Sequence, residues 1–502
     1  LPDPTPHYDL LVVGGGINGA GIARDASGRG LRVLLCEQDD LAGHTSSAST
    51  KLIHGGLRYL EFYHFGLVRK ALREREVLLA SAPHIMWPLR FVMPHDAHLR
   101  PAWMIRAGLF LYDHLARRRR LPGSAAIDLR RHVAGAPLQP QFARGFVYSD
   151  VWVDDARLVV LNALAAAEAG ATVLTRTRCE RLVSHGKAWQ ATLRSTESGA
   201  APNTITATAV VNATGPWAAR FLATATPITE DRELRLVKGS HIIVRKLFEH
   251  DHAYIFQAPD RRIVFAIPYE GDFTLIGTTD IEHHDRPETV HIDRDEIEYL
   301  CALANRYFRK SIEPADVVAS YSGVRPLLED ESADARSVTR DYSLQLTTNP
   351  APLLTVFGGK ITTFRALAEE ALQKLATVFP SLSGDWTAGA TLPGGDLPHG
   401  DFEAFVDELA AQRPWLPGHL RLRLAHAYGT RISKVIGDAR SLDQLGAEVA
   451  PGLHERELAY LYVHEWARSA DDVLWRRSKL GLRCDTASVE RVTAWLHERS
   501  NA

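Results

Sequence analysis

The chain has 502 residues, which allows two to four domains and a large buried core. Hydrophobic residues make up 45% and charged residues 24%, with 36 Gly and 26 Pro, values that exclude a fibrous or largely disordered chain. The 58 Lys and Arg against 60 Asp and Glu leave a net charge of −2, so no global basic field is present and no nucleic-acid partner is expected.

Four cysteines, Cys36, Cys179, Cys301 and Cys484, lie far apart and form no C-x-x-C pair. That excludes a Cys-rich zinc module, gives no disulfide framework and fits a reduced, cytoplasmic chain. No run of about 18 apolar residues marks a membrane span. The start, Leu1 to Pro6, lacks the basic and apolar regions of a signal peptide. No metal is expected: His283-His284-Asp285 precedes Pro287 without a helical pair, and position 468 after His464-Glu465 is Arg, so H-E-x-x-H is absent.

In chain order, Tyr8 to Val13 reads as a buried strand, Gly14-Gly15-Gly16-Ile17-Asn18-Gly19 as a G-x-G-x-x-G turn, Ala20 to Gly28 as a helix, and Leu31 to Cys36 as a second strand ending at Glu37. Gly14 permits the tight turn, Gly16 lets backbone N–H groups approach a pyrophosphate, and Gly19 allows close helix-on-strand packing. The helix N-terminus then faces phosphate. Glu37 can accept both hydroxyls of an adenosine ribose, which favours FAD or NAD over NADP. Only one such fingerprint is present, whereas a flavin enzyme that also used a pyridine nucleotide would usually carry two. The flavin reading comes from Val210 to Trp217, a β-run ending in Ala213-Thr214-Gly215, and from the Gly pair Gly358-Gly359 opening a late helix.

Arg100 to Arg120 has amphipathic spacing. It places Met104, Gly108, Leu111 and Leu115 on one face, beside Trp103, Ala107 and Phe110, with Arg106, Asp113, Arg117 and Arg120 opposite. Strands are expected at Ser240 to Val244, Ala253 to Phe256, Arg262 to Pro268 and Phe273 to Thr278. A linker, Leu392 to Pro398, precedes a region of helical periodicity that includes Leu453 to Trp466 and Ser488 to Arg499.

Two long strings carry a resemblance. One runs from Val13 through Gly14-Gly15-Gly16-Ile17-Asn18-Gly19 to Gly30, and the other is Gly358-Gly359-Lys360-Ile361-Thr362-Thr363-Phe364-Arg365-Ala366-Leu367-Ala368. Thr45 to Leu60, Lys238 to His241, Tyr321 to Pro326 and Trp475-Arg476-Arg477 add to it. From about Tyr8 to about Leu496 the chain resembles the bacterial, aerobic, FAD-dependent glycerol-3-phosphate dehydrogenases, with Phe364 where the family usually has Tyr.

The resemblance implies FAD as cofactor and oxidation of sn-glycerol 3-phosphate to dihydroxyacetone phosphate, with hydride leaving C2 for flavin N5 and electrons passing to a membrane quinone. It implies phosphate recognition by Arg58 and Arg325, helped by Tyr59. His54 is the first choice of base and His241 the second, with Lys360 as a stabiliser of reduced flavin or a substrate contact. Ser46, Ser47, Ser49 and Lys51 are expected to contact FAD, alongside Gly14, Gly16, Gly19, Glu37, Thr214, Gly215, Gly358, Gly359, Lys360, Ile361 and Thr362.

The implied architecture is mixed α/β. A Rossmann-like FAD-binding domain (1–82, 155–220 and 345–385) is interleaved with a mixed-sheet substrate domain (83–154 and 221–344). A linker (386–400) leads to an all-helical cap (401–502). A quinone acceptor requires peripheral docking at the cytoplasmic face of the inner membrane. The candidate segment is Arg100 to Arg120, with Arg476-Arg477 as the fallback. The pattern leaves room for a homodimer. An oxygen-dependent oxidase of the same fold and a non-catalytic nucleotide-binding protein are the competing readings.

Overall fold

The computed structural model describes residues 5–96, 100–197, 199–228, 234–260, 262–328 and 341–500. Leu1 to Pro4, the start of the segment read for a signal peptide, lie outside them.

The run of Leu and Val in His7–Val13 is buried on both faces, as a parallel sheet interior requires. It pairs in parallel with Val33–Cys36 on one side and Asn203–Asn212 on the other. Leu353–Phe357 and Ser343–Thr347 extend the sheet beyond Asn203–Asn212, and Thr172–Leu174 extends it beyond Val33–Cys36. A hairpin, Thr177–His185 with Ala188–Ser195, completes eight strands. On one face the helix Ile17–Gly28 packs between Asp155–Glu168 and Phe364–Leu375. Small residues allow this closeness: a Cβ on Gly21 would approach Phe364 Cδ2 to 2.7 Å.

The second sheet has ten strands. The four strands expected in its central part are present as Leu234–Arg245, Ala253–Gln257, Ile263–Tyr269 and Phe273–Gly277. The sheet is mixed, because Ala253–Gln257 runs parallel to Met86–Pro94 while its other pairings are antiparallel. Leu52–Ile53, in a segment assigned by sequence to nucleotide binding, pairs instead with Arg144–Val153 of this second sheet. The residues that follow it, His54 to Tyr59, therefore enter the space between the sheets.

The C-terminal region builds its own core from the helices Phe402–Gln412, Gly418–Tyr428, Glu455–His464 and Thr486–Ser500. It is not wholly helical. Pro451-Gly452, with Gly452 at φ +74°, turns a two-stranded hairpin of Glu448–Ala450 and Leu453–His454. The expected helix over Leu453 to Trp466 accordingly starts at Glu455.

Charge docks this cap. Asp40, on the loop after Val33–Cys36, accepts both terminal nitrogens of Arg477 at 2.6 and 2.7 Å and Arg476 Nε at 2.6 Å. Arg176 bridges Asp40 and Asp472, and Arg157 binds Glu465 with both partners fully buried. Arg476-Arg477 is thus an internal clamp rather than a docking surface. Sequence shows the charges but not the carboxylates they meet.

The helix in the Arg100 to Arg120 segment is Ala102–His114, and the basic residues after it are outside it. Its inward side is Leu109, Tyr112 and Asp113. Asp113, expected on the outer face, is buried because it accepts Ser124 N at 2.8 Å and Ser124 Oγ at 2.6 Å. Trp103 and Phe110 are 69% and 56% exposed, with Met104 and Leu111 beside them, so an apolar strip faces outward. No helix among the described residues is long and apolar enough to cross a membrane.

Asp40→Ala leaves three arginines without their shared carboxylate. Breaking a buried pair by deleting one partner costs about 3–5 kcal/mol. Calorimetry of the variant is expected to show an unfolding transition several degrees below the wild type's, and limited proteolysis should cut first in the cap.

Candidate active site

A cleft of about 1030 Å³ runs between the two sheets. That exceeds the range of about 300–1,000 Å³ common for drug-sized ligands and suits an extended dinucleotide with a small second molecule.

At one end stands the first turn. Gly14 has φ +111°, and a Cβ there would lie 2.5 Å from the Ala213 carbonyl oxygen. A Cβ on Gly19 would overlap the Gly14 carbonyl oxygen, so only glycine lets the helix seat this close to the strand end. Gly19 packs the helix and does not line the cleft. No side chain of its N-cap residue, Gly16, caps the helix start, and Ile17 N donates to Ser46 Oγ at 3.0 Å. Ser46 thus satisfies one N–H of the first turn, and the glycine-lined helix N-terminus favours an anion.

Glu37 lies beyond the turn. Its carboxylate accepts Gly15 N at 2.6 Å and Asp39 N at 2.9 Å, which fixes its orientation along the cleft wall. Burial raises the carboxyl above its ordinary range against the pull of these N–H groups. Across the cleft, Thr214 Oγ1 donates to Asn212 Oδ1 at 2.7 Å, and Gly215 is left-handed at φ +58°. Gly358 and Gly359, at φ +76° and +104°, form the next part of the wall, where Asn18 Nδ2 donates to the Gly358 carbonyl at 3.1 Å. Asn18 Oδ1 is buried without a partner among the described residues.

Beyond these glycines the remaining predicted residues converge. Thr362 Oγ1 accepts His54 N at 3.3 Å, so the Gly358–Thr362 segment touches the loop that carries His54. Gly56, at φ +73°, starts a 3₁₀ turn, Leu57–Phe62, that presents Arg58 and Tyr59. Lys360 Nζ stands 4.2 Å from the Tyr59 ring centroid. Arg325 Nη2 binds Asp280 and donates to the Thr279 carbonyl at 3.4 Å, whereas Arg58 makes no ion pair among the described residues. Ile361 and Ser49 also line the cleft.

His241 is 2% exposed and stacks on Tyr321 with ring centroids 4.8 Å apart. Its Nε2 is 2.9 Å from Thr50 Oγ1, and its buried Nδ1 has no partner among the described residues. Burial, and then the charges of Lys51 and Arg325, hold its pKa well below the usual histidine value.

Besides Gly19, two more predicted cofactor contacts are placed elsewhere. Lys51 Nζ pairs with the buried Asp155 at 2.8 Å and with the Ser47 carbonyl at 2.9 Å, and Ser47 Oγ turns to the His44 carbonyl at 3.1 Å; neither residue lines the cleft. Asp155 takes up the charge that the sequence left open. Thr50, Asp280 and Asn18 were not singled out. Asn18 lies within the glycine fingerprint, but the other two owe their place to partners far away in the chain. Phe364 is fully buried against Gly21, so the hydroxyl of a tyrosine there would enter an apolar helix contact. Among the described residues no group of His, Cys, Asp or Glu is placed to hold a metal ion.

Comparison with known proteins identifies the family. A family model described as FAD dependent oxidoreductase matches residues 9–365, and one described as the C-terminal domain of alpha-glycerophosphate oxidase matches residues 386–500. The chain belongs to the FAD-dependent oxidoreductase family. This flavoenzyme is 53% identical over 491 residues to a glycerol-3-phosphate dehydrogenase of Pseudomonas aeruginosa, covering 97% of this chain and 95% of the relative. It is 50% identical over 488 residues to a D-erythritol 1-phosphate dehydrogenase of Brucella abortus, covering 97% of each. Among solved structures, a glycerol-3-phosphate dehydrogenase from Bacillus halodurans complexed with FAD matches with a TM-score of 0.78 and 26% identity, over 99% of this chain and 91% of that one. The cofactor of this flavoenzyme is FAD, and the left-handed glycines and glycine-lined helix start fit it.

His241 also sets a pH dependence. Its folded pKa lies below the ordinary histidine value of about 6.5, so its contribution to stability is complete above about pH 6.5. That contribution is lost as pH falls toward the folded value. Thermal denaturation from pH 8 to 5 is expected to show a smaller acid-side loss in His241→Gln than in the wild type.

Proposed function

We propose that this enzyme oxidises sn-glycerol 3-phosphate to dihydroxyacetone phosphate and passes the electrons to a membrane quinone. The observation that carries the reading is the convergence of His54, Arg58, Tyr59 and Lys360 at the glycine-walled end of the cleft. The naming of relatives about 50% identical over nearly the whole chain supports the substrate class.

Bound FAD supplies the hydride acceptor, N5 of its ring system. Gly14, Gly16 and the helix start would hold the pyrophosphate, with Glu37 at the ribose. Thr214, Gly215, Gly358, Gly359, Ile361 and Thr362 would wall the rest of the cofactor, with Ser46 and Ser49 beside it. The chain must then grip a phosphate dianion, aim C2 and take the proton of the C2 hydroxyl. Arg58, with no ion pair among the described residues, supplies one guanidinium. Arg325 commits Nη2 to Asp280 and Thr279 and offers its other N–H groups to the phosphate. Tyr59 adds a hydroxyl donor. Lys360 places a positive charge where negative charge grows on the reduced cofactor.

His54 is the base. His241, the second candidate, also lines the cleft, but one ring nitrogen is engaged by Thr50 and the other is buried, which disfavours it as the base. The Brucella relative favours a second substrate, D-erythritol 1-phosphate, which presents the same phosphate and an adjacent secondary alcohol on a longer chain.

Single-turnover reduction of the bound flavin tests the reading. Glycerol 3-phosphate should bleach the flavin and free glycerol should not; bleaching by neither phosphate ester would overturn it. Arg58→Ala is expected to raise KM roughly ten- to hundredfold, because hydrogen bonds to charged groups contribute about 1.5–3 kcal/mol. His54→Ala should slow flavin reduction by about 10²–10⁴-fold with FAD content retained.

Delivery to a quinone requires docking at a bilayer. The outward strip of Trp103, Phe110 and Leu111, with exposed Arg117 and Arg119 nearby, supports peripheral attachment there, at the cytoplasmic face of the inner membrane. Replacing those three apolar residues by Ser is expected to reduce co-sedimentation with anionic liposomes several-fold. Equal binding by both proteins would clear the strip.

A further inference from the structure

The turn Gly55-Gly56 links His54 to the 3₁₀ segment bearing Arg58, and two consecutive backbone N–H groups around it are held by side chains remote in sequence. Thr362 Oγ1 takes His54 N at 3.3 Å, and the Tyr112 hydroxyl takes Gly55 N at 2.8 Å. Tyr112 lies on the inward side of Ala102–His114 and is 2% exposed.

The phenol works in two directions. It accepts from Gly55 and donates to Asp150 Oδ1 at 2.7 Å. The same carboxylate oxygen accepts Arg75 Nη1 at 2.6 Å, and Arg75 also donates to the Ser149 carbonyl at 2.9 Å. Arg75 and Asp150 are 1% and 3% exposed. Burial pushes the Tyr112 phenol well above its ordinary pKa, so the hydroxyl keeps its proton and its donor role. The turn has no slack: a Cβ on Gly55 would sit 2.7 Å from the Tyr112 oxygen, and one on Gly56 would strike the Tyr59 ring. A buried backbone N–H without a partner is costly, so the phenol selects one position for the turn.

We propose that Tyr112 is a positioning residue, whose hydroxyl fixes the Gly55-Gly56 turn and through it the aim of His54 and Arg58. Tyr112 touches neither substrate nor cofactor in this assignment, which rests on the function proposed above. Its strength follows from the sensitivity of proton and hydride transfer to alignment, where a misplacement of about 1 Å can cost about 10²-fold.

The test is Tyr112→Phe in the FAD-loaded enzyme, which keeps the ring and removes the oxygen. Leu109→Ala, on the same helix and fully buried, serves as a control for lost packing. Hydrogen exchange of the peptide spanning 52–60 needs no substrate. It is expected to quicken about tenfold in Tyr112→Phe and to stay near wild type in Leu109→Ala. With glycerol 3-phosphate, flavin reduction at saturation should fall about ten- to hundredfold in Tyr112→Phe and far less in Leu109→Ala, with FAD content unchanged in both. Unchanged exchange in Tyr112→Phe, or equal losses of rate in the two variants, overturns the assignment. A wild type whose flavin no polyol phosphate reduces overturns the proposed function instead, and the exchange experiment still decides the role of Tyr112.

Discussion

The structure depends on one absence of atoms. Gly19 has no side chain, and that lets the helix Ile17–Gly28 settle with its backbone against the carbonyl of Gly14. The strand end, the glycine turn and Ala213 of a neighbouring strand then meet in one small volume. The helix start is left pointing along the cleft rather than out to water. Phe364 and Ala368 complete the packing from the far side by lying on Gly21. Any widening here would separate the parts of the wall that come from the beginning, middle and end of the chain.

Against this apolar contact stands a polar one of a different kind. The cap is joined to the nucleotide-binding sheet through Asp40, Asp472 and Glu465, with Arg157, Arg176, Arg476 and Arg477 as their partners. Buried ion pairs gain little net stability over well-packed apolar residues, yet they tolerate no wrong alignment. The arrangement therefore fixes where the cap sits more than how strongly it holds. Asp40 is three residues after Glu37, so the clamp closes on the same loop that turns the acidic end of the cleft.

Much of this was legible in the sequence, and the division has a physical cause. Gly14 and Gly19 of the fingerprint and the pair Gly358-Gly359 are readable because left-handed φ or close approach demands glycine whatever surrounds it. The four strands of the second sheet were legible from their apolar runs. Partners were not. Lys51 and Arg477 have the charge of ligand-binding residues, but Asp155 and Asp40 claim them from 104 and 437 positions away. The faces of Ala102–His114 were assigned by apolar count, and the buried side was decided by Tyr112 and Asp113, polar residues with partners waiting inside. Tyr112 itself carries no sequence signal, since its role exists only where Gly55 and Asp150 come together.

The interleaving of the sheets also dictates an order of events at the ribosome. The first sheet takes Leu353–Phe357 as the parallel neighbour of Asn203–Asn212, and the Gly358-Gly359 wall follows immediately. Until some 360 residues have emerged, that side of the sheet is an open edge and the cleft lacks a wall. The strand edges and apolar faces made earlier must wait exposed, which is the condition under which chains of this size aggregate. The cleft is complete only once this late strand and the glycine pair behind it are in place, so the walls of the site are finished by the late segments of the chain.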